Sequence, residues 1–349
     1  MWRIGKDLGL FARMAVSLRP RVAAFHARYE LARWARGSIE RDGVVVPTAL
    51  YVETSSYCRG RCRGCYVPVA ERTSQRTLDA PALQRIIASA RRLRPDYVCL
   101  VGGEPLDGPA LEINLALIEG APDLRFFVCT GLQGRSDEGL MRRLAALTNL
   151  SVFFSVDGLA TTHDRIRSRG SHARTLAAMR SYNGRGGQVC GASVTLREEN
   201  REEVTAGPFV ASLESAGCNV VSFDPWFSAD GGESLAPDAL WTSIERLRRI
   251  AQTSPSMFFV NPFGRLRSDG FDAETAMLAA SIDSLGNVYG SRRGRPLGNL
   301  ATEDLDTILA GDGFQRGFSL VDRVACALDD PRRGLIEQTA VAMGLRALQ

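Results

Sequence analysis

Strand-length apolar runs alternate with helix-length amphipathic segments from residue 48 to residue 252, and this alternation restricts the chain to few folds. The predicted strands are Ala49–Glu53, Asp96–Val101, Leu124–Thr130, Leu150–Val156, Gln188–Leu196 and Asn219–Pro225. The predicted helices are Ala80–Leu93, Pro109–Glu119, Asp137–Leu147, Ala173–Arg185, Glu202–Ala216 and Asp238–Gln252. Nearly continuous apolar strands separated by helices are typical of a parallel sheet. The sequence therefore predicts an α/β protein with a partial (β/α)6 TIM barrel.

The pattern changes on both sides of this barrel, and we divide the chain into three regions. Residues 1–47 are predicted to form a short basic helical segment, residues 48–255 the barrel, and residues 256–349 a small extension. The extension is expected to contain a β-hairpin within 277–292 and a short helix near 302–310. In β/α barrels, functional groups lie at the C-terminal ends of the strands. The residues that follow each predicted strand are therefore the candidates for function.

Positive charge is concentrated at the start of the chain. The net charge is +4, but residues 1–41 hold nine Lys/Arg and three Asp/Glu, so they carry +6 and leave −2 elsewhere. Apolar residues recur there at helical spacing, which predicts a basic amphipathic helix that either covers the barrel or contacts a membrane surface peripherally. Since no apolar run reaches ~18 residues, we expect no spanning helix. Such a mild net charge indicates no nucleic-acid partner.

Cys58, Cys62 and Cys65 follow the first predicted strand with C-x3-C-x2-C spacing. Three thiolates on one loop can bind three irons of a [4Fe-4S] cluster and leave the fourth iron open. A structural zinc site needs four ligands, whereas the chain has only three histidines and no further pair at zinc-finger spacing. A disulfide would leave one thiol unpaired and would require an oxidising compartment. The spacing therefore favours a cluster in a cytoplasmic protein.

Gly102, Gly103, Glu104 and Pro105 end the second predicted strand. Paired glycines allow close approach of the backbone to a ligand, and the carboxylate can accept hydrogen bonds from an ammonium group. This segment resembles the Gly-Gly-Glu-Pro motif of the radical S-adenosylmethionine (radical SAM) superfamily. The cysteine spacing, with the aromatic Tyr66 directly after it, resembles the signature of the same superfamily. The resemblance extends over about residues 48–230 and, more loosely, 277–310.

This resemblance implies one [4Fe-4S] cluster ligated by Cys58, Cys62 and Cys65, with S-adenosylmethionine (SAM) at the open iron. It implies that SAM is cleaved reductively to a 5′-deoxyadenosyl radical, which removes a hydrogen atom from the substrate. The residues implied for binding SAM are Tyr66, Gly102, Gly103, Glu104, Pro105, Ser155, Asp157, Arg167, Thr195 and Phe223. Of these, Arg167 would bind a carboxylate through two N–H groups of its planar guanidinium, and Phe223 would flank adenine. Asp224 and Trp226, at the end of the sixth strand, are the candidate catalytic residues facing substrate.

The C-terminal stretch 281–300 resembles the SPASM-type extension of the superfamily, which normally supplies cysteines for auxiliary clusters. Here Ser291 stands near the place of the first such cysteine and only Cys326 follows it. One thiolate cannot hold a cubane, so we expect no auxiliary cluster. No cobalamin domain precedes the barrel, and cobalamin-dependent methylation is therefore not expected.

The substrate stays open at this point. A lipid-like or natural-product substrate is the first hypothesis, because a membrane-surface helix at residues 1–41 would suit it. Modification of a ribosomal peptide is the second, and a catalytically inactive SAM-binding partner protein is the third. An active enzyme would also need an electron donor such as flavodoxin or ferredoxin.

Overall fold

The computed structural model describes residues 40–41, 44–132, 137–227, 235–261, 264–267, 270–272, 278–290 and 295–315. The predicted N-terminal helix, Ser291 and Cys326 lie outside these residues. No helix in the described ranges is long and apolar enough to cross a membrane.

One large mixed sheet organises the described chain. Its strands are β3 (Ala49–Ser55), β4 (Tyr97–Gly102), β5 (Phe126–Thr130), β6 (Leu150–Ser155), β7 (Val189–Leu196), β8 (Val220–Pro225), β9 (Met257–Val260), β10 (Gly264–Arg267), β11 (Gly270–Asp272), β12 (Ala279–Ile282), β13 (Asn287–Tyr289) and β14 (Gly298–Asn299). The spatial order is β11-β10-β9-β8-β7-β6-β5-β4-β3-β12-β13-β14. A separate antiparallel pair, β1 (Glu40–Arg41) and β2 (Val44–Val45), precedes it.

Helices connect the parallel strands, and one further helix follows β14. They are α1 (Val69–Thr73), α2 (Ala80–Leu93), α3 (Gly108–Gly120), α4 (Glu138–Ala146), α5 (Ala160–Ile166), α6 (Ser171–Gly184), α7 (Arg201–Val204), α8 (Gly207–Ser215), α9 (Pro237–Ala251) and α10 (Leu305–Ala310). Two of the helices, α2 and α4, begin at side-chain caps, because the Asp79 and Asp137 carboxylates accept the N–H groups of Ala82 and Leu140.

Strands β3 to β9 pair in parallel along the chain, which confirms the predicted partial barrel. All six predicted strands are present. A further parallel strand, β9, was not predicted and extends the barrel beyond β8. The prediction of one continuous helix over Glu202–Ala216 was wrong, because this segment forms two helices, α7 and α8. Pro208 stands in the first turn of α8, where its missing N–H is tolerated, whereas inside one long helix it would remove a hydrogen bond.

The two faces of the parallel strands have different surroundings. Residues facing outward, such as Leu50, Val152 and Phe223, are fully buried in one continuous core shared with the helices. Residues facing inward form a second, smaller cluster around Phe153, Val189, Val220 and Met257. Above that cluster the inward face is polar, and Ser193, Ser222 and Asp224 there are only partly buried. The inner face therefore combines an apolar base with a polar mouth.

The C-terminal extension joins the same sheet. Strand β12 pairs in parallel with β3 and in antiparallel fashion with β13, so 279–289 form a hairpin beside the first barrel strand. The Ser284 hydroxyl, at the hairpin turn, donates to the Glu53 carboxylate of β3 at 3.1 Å. The turn of the extension is thereby bonded to the mouth of the barrel. The assignment of residues 256–349 to a SPASM-like region stays a prediction.

Candidate active site

The loop that carries the three cysteines leaves β3 at the C-terminal edge of the sheet. Side chains and helix ends hold it on both sides. The Arg72 guanidinium donates to the Gly60 carbonyl oxygen at 2.7 Å, and the Arg63 N–H donates to the Ile166 carbonyl oxygen at 2.8 Å. Arg72 is itself buried. Helices α1 and α5 thus fix the path of the loop between its cysteines.

The Cys58, Cys62 and Cys65 thiols are all free and half-buried. Burial raises the pKa of Cys58 to about 12, with neighbouring Glu104, Cys62 and Cys65 adding to the rise. Burial also raises the pKa of Cys62, while the Arg167 cation opposes it. The three thiols therefore share one electrostatic neighbourhood with a cation beside it. That setting suits a cluster bound by thiolates, because the cation offsets their negative charge.

No group of three His, Cys, Asp or Glu side chains within the described residues converges as a single metal ion would require. A cubane does not require such convergence, because each thiolate binds a different iron. The three thiols on this one loop therefore fit a cluster with an open fourth iron.

The Gly-Gly-Glu-Pro segment is bonded directly to the entrance of the cysteine loop. The Gly103 N–H donates to the Ser55 carbonyl oxygen at 3.0 Å, and the Glu104 N–H donates to that of Tyr57 at 2.7 Å. A Cβ on Gly103 would lie 2.0 Å from the Tyr57 carbonyl oxygen. The paired glycines are therefore required for the close approach of two chain segments of this protein. This reason for the glycines could not be obtained from the motif alone.

The Glu104 carboxylate joins β4 to the end of β5. It is buried, and it accepts the Thr130 hydroxyl at 2.5 Å, the Leu106 N–H at 3.2 Å and the Gly131 N–H at 3.0 Å. The sequence pointed to Glu104 for ammonium binding but gave no indication of the partners on β5. The carboxylate is thus held rigidly by the protein beside Cys58.

Asp157 and Arg167 form a buried ion pair beyond the end of β6. The Arg167 Nε donates to Asp157 Oδ2 at 2.6 Å, while the Thr195 N–H donates to Oδ1 at 2.9 Å. Burial alone would raise the pKa of Asp157, but Arg167 and these hydrogen bonds lower it below its ordinary value. Burial alone would lower the pKa of Arg167, but Asp157 and the thiols of Cys62 and Cys65 raise it. The predicted residue Arg167 therefore lies between Asp157 and the cysteine loop.

Asn200 completes this network from the loop after β7. Its amide donates to the carbonyl oxygens of Asp157 and Thr195, both at 2.9 Å, and its oxygen accepts the Arg197 N–H at 2.8 Å. The predicted residues Asp157, Arg167 and Thr195 are thus brought together. Ser155, half-buried at the end of β6, pairs in register with Ser193 of β7.

Tyr66 and Asp224 also lie at the mouth of the barrel. The Tyr66 hydroxyl donates to the Gly102 carbonyl oxygen at 3.4 Å, so the residue after Cys65 touches the Gly-Gly-Glu-Pro segment. The Asp224 carboxylate accepts the Asn261 amide at 2.8 Å and the Ser222 hydroxyl at 3.4 Å. Burial raises the pKa of Asp224 above its ordinary value, although these hydrogen bonds oppose the rise. Asp224 therefore presents a carboxyl group to the inner face, as its position on β8 predicted.

Two other predicted residues occupy places that the sequence did not indicate. Phe223 is fully buried on the outward face, with its ring centroid 6.1 Å from that of Phe258. It alternates with inward-facing Asp224, so its ring lies in the helix-facing core and does not reach the inner face of the barrel. Trp226 donates its indole N–H to the Gly64 carbonyl oxygen of the cysteine loop at 2.8 Å. Arg197, which the sequence analysis missed, contacts the same oxygen; its position directly after β7 was the available signal.

Residues 52–206 match the family model described as the radical SAM superfamily. The chain carries a radical SAM domain. It is accordingly a radical SAM enzyme, whose cofactors are a [4Fe-4S] cluster and SAM. The matched range includes the three cysteines, the Gly-Gly-Glu-Pro segment and the Asp157–Arg167 pair, but ends before β8.

Solved structures share the fold of this radical SAM enzyme at low sequence identity. Streptococcus suis SuiB bound to precursor peptide SuiA has a TM-score of 0.62 and 15% identity, covering 85% of this chain and 71% of that one. SuiB bound to S-adenosylmethionine has a TM-score of 0.63 and 16% identity, covering 91% and 78%. Native anSMEcpe with bound AdoMet and Cp18Cys peptide has a TM-score of 0.61 and 15% identity, covering 78% and 82%. No curated protein sequence matches the chain.

Proposed function

We propose that this radical SAM enzyme removes a hydrogen atom from a peptide substrate held at the mouth of the barrel. The observation that carries the proposal is that hydrogen bonds connect three segments at one edge of the sheet: the cysteine loop, the Gly-Gly-Glu-Pro segment and the end of α5. The cysteine loop is bonded to the Gly-Gly-Glu-Pro segment through Ser55 and Tyr57, and to the end of α5 through Ile166. Helix α5 leads directly into Arg167, whose partner Asp157 follows β6.

When bound, the cluster and SAM together supply a 5′-deoxyadenosyl radical that removes a hydrogen atom from a C–H bond. Cys58, Cys62 and Cys65 would each ligate one iron. A guanidinium has five N–H donors, and the bond to Asp157 uses the Nε–H. Arg167 would therefore offer its remaining donors to the SAM carboxylate, in an orientation that Asp157 fixes.

The remaining predicted SAM contacts surround this centre. Gly102, Gly103, Glu104 and Pro105 would bind the methionine amino group. Tyr66, bonded to Gly102, would lie against adenine. Ser155 and Thr195, on the neighbouring strands β6 and β7, would meet the ribose. Such groups exclude water and hold the reacting atoms in line, which is the contribution a protein makes to cofactor chemistry.

The peptide assignment rests on the peptides bound in two structures of similar fold. SuiB was solved bound to the precursor peptide SuiA, and anSMEcpe was solved with AdoMet and the Cp18Cys peptide. The competing lipid-like hypothesis depends on residues 1–41, nearly all of which lie outside the described residues. Asp224, with Asn261 and Ser222 around it, would contact the substrate from the inner face of β8.

An anaerobic assay tests the reaction. The protein is reconstituted with iron and sulfide, given SAM and dithionite, and analysed for 5′-deoxyadenosine. We expect product from the wild type and none from a Cys58→Ala, Cys62→Ala, Cys65→Ala triple variant. Cys190→Ala, which alters a thiol buried in the helix-facing core, should retain activity. No product at about four irons per chain, or equal product from the triple variant, would contradict the proposal.

A labelling experiment tests the substrate class. Peptides encoded beside the gene are synthesised in deuterated form and added to the assay, in parallel with deuterated lipid extract. Deuterium in 5′-deoxyadenosine from a peptide is the expected result, because the abstracted atom is carried into that product. Deuterium from lipid alone would overturn the peptide assignment in favour of the lipid-like hypothesis.

A further inference from the structure

The Gly64 carbonyl group, in the peptide unit directly before Cys65, is held by two side chains from distant strands. The Trp226 indole N–H donates to this oxygen at 2.8 Å, and Arg197 Nη2 donates to it at 3.3 Å. The Arg197 guanidinium carbon lies 5.2 Å from the centroid of the Trp226 ring, within cation–π range. The two donors therefore support each other as well as the carbonyl group.

Gly64 fits this arrangement because it lacks a side chain. A Cβ there would lie 2.7 Å from Arg197 Nη1 and 3.1 Å from Trp226 Nε1. Its φ of +62° is in the left-handed region that glycine adopts without strain. Both the residue type and its backbone conformation thus allow the two donors to reach the carbonyl group closely.

The clamp, which we define as Trp226, Arg197 and the Gly64 carbonyl group, is anchored on the barrel. The Trp226 N–H donates to the Leu196 carbonyl oxygen at 2.8 Å, which joins the end of β8 to the end of β7. The backbone of Arg197 is bonded to Asn200, which also bonds the Asp157 carbonyl oxygen. The network that orients Arg167 therefore also orients the peptide unit before Cys65.

We propose that Trp226 and Arg197 are positioning residues that set the direction of the Cys65 thiolate toward the cluster. The peptide bond is planar and trans. Holding the Gly64 carbonyl group in place therefore also fixes the direction of the Cys65 N–H and the position of the Cys65 Cα, from which the thiolate side chain extends. Hydrogen bonding and charge near the sulfurs tune cluster potentials. With a cluster bound, the Arg197 cation would accordingly favour its reduced, more negative state. This inference rests on the assignment of Cys65 as a cluster ligand.

Electron paramagnetic resonance of the reduced, reconstituted enzyme tests the proposal. Trp226→Phe removes the N–H donor but keeps an aromatic ring, and Arg197→Gln removes the cation. We expect an altered spectrum in Trp226→Phe and a lower midpoint potential in Arg197→Gln, with Arg197→Lys closer to wild type in potential. Trp241→Phe is the matched control, since Trp241 packs on α9 against the helix-facing core. Its spectrum should equal that of the wild type.

Steady-state SAM cleavage adds a second readout. Trp226→Phe should lower kcat by about 10-fold or more, as changes around metal ligands commonly do, while KM for SAM stays near the wild-type value. A role in SAM binding would instead raise KM. Unchanged spectra and potentials in Trp226→Phe and Arg197→Gln, at wild-type iron content, would overturn the positioning role.

A measurement on the iron-free protein tests the proposal even for variants that do not retain the cluster. Brief alkylation of the iron-free protein, followed by peptide mass spectrometry, reports the accessibility of each thiol. Trp226→Phe should increase labelling of Cys65 relative to Cys58, and Trp241→Phe should not. Equal labelling in all three proteins would contradict the clamp. Because this readout and the spectra need no turnover, failure of the clamp is distinguishable from failure of the proposed hydrogen-atom abstraction.

Discussion

The Asp157 carboxylate and the Arg167 guanidinium lie 2.6 Å apart, with side-chain exposures of only 1% and 14%. Charged side chains are seldom buried in proteins unless they are paired in this way. Removal of one partner from a buried pair leaves an uncompensated charge, which is far more costly than the loss of a pair at the surface. The pair is therefore a structural element of the site as well as a candidate SAM contact.

Asp157→Asn should destabilise the protein strongly, by about 3–5 kcal/mol, because Arg167 would stay buried without its counter-charge. Urea unfolding of the reconstituted protein measures the loss. The matched control is Asp123→Asn, which breaks the exposed pair between Asp123 and Arg91 at 2.9 Å. That change should have little effect. Similar midpoints for the two variants would contradict a stabilising role for the buried pair.

The folded protein should lose stability as pH falls from about 6.5 toward 4, partly through His163. His163 is fully buried, and burial lowers its pKa to about 4, with the Arg167 cation adding to the effect. The unfolded chain therefore binds a proton at a pH where the folded protein does not. At a pH above about 6.5, the pKa of histidine in the unfolded chain, the lowered pKa of His163 does not affect the free energy of unfolding. Near pH 4, the loss of unfolding free energy reaches roughly 3 kcal/mol.

Urea midpoints measured across this pH window check the prediction in wild type and His163→Gln. The variant should show a shallower slope but not a flat one, because burial also lowers the pKa of His172. Protonation of His163 is opposed directly, since its Nδ1 accepts the Asp157 N–H at 3.1 Å. Identical slopes in the two proteins would show that His163 does not titrate as described.

Glu104→Gln should weaken the fold as well as SAM binding. The carboxylate accepts hydrogen bonds on both oxygens, from Leu106, Thr130 and Gly131. A glutamine would turn an NH2 group toward at least one of these donors and leave it unsatisfied, at a cost of about 1–3 kcal/mol. Thermal unfolding and SAM titration separate the two effects. Reduced SAM affinity at unchanged melting temperature would show that Glu104 serves the cofactor alone.

The fold was predictable because strand and helix periods are local properties of the sequence. All six predicted barrel strands exist, and helix α2 matches its predicted bounds, where Asp79 provides the cap. Strand β9 was not predicted, because Met257–Val260 is only four residues long. Its place in the sheet depends on pairing with β8, which a local pattern does not record.

The candidate site was predictable only in part. The positions of Cys58, Glu104 and Arg167 could be taken from motifs, because each stands at a fixed place after a strand. The hydrogen bonds that hold the site together could not, since the Thr130–Glu104 and Arg197–Gly64 contacts join residues 26 and 133 positions apart in the chain. Phe223 was predicted to flank adenine from its place at the end of β8 alone, whereas its side chain lies in the helix-facing core, because successive residues along a strand point to opposite faces.

Gly103→Ala should prevent cluster assembly, although it adds only one methyl group. The new Cβ would lie 2.0 Å from the Tyr57 carbonyl oxygen and 2.4 Å from that of Ser56. Because both neighbours are backbone atoms at the entrance of the cysteine loop, relief of the clash must move the chain that leads into Cys58. Iron and sulfide content after reconstitution, with the visible absorbance, measures the loss. Gly120→Ala is the control, since a Cβ there meets nothing within 4 Å and alanine favours a helix. Full iron content in Gly103→Ala would show that the loop accommodates the displacement without losing the ligand geometry.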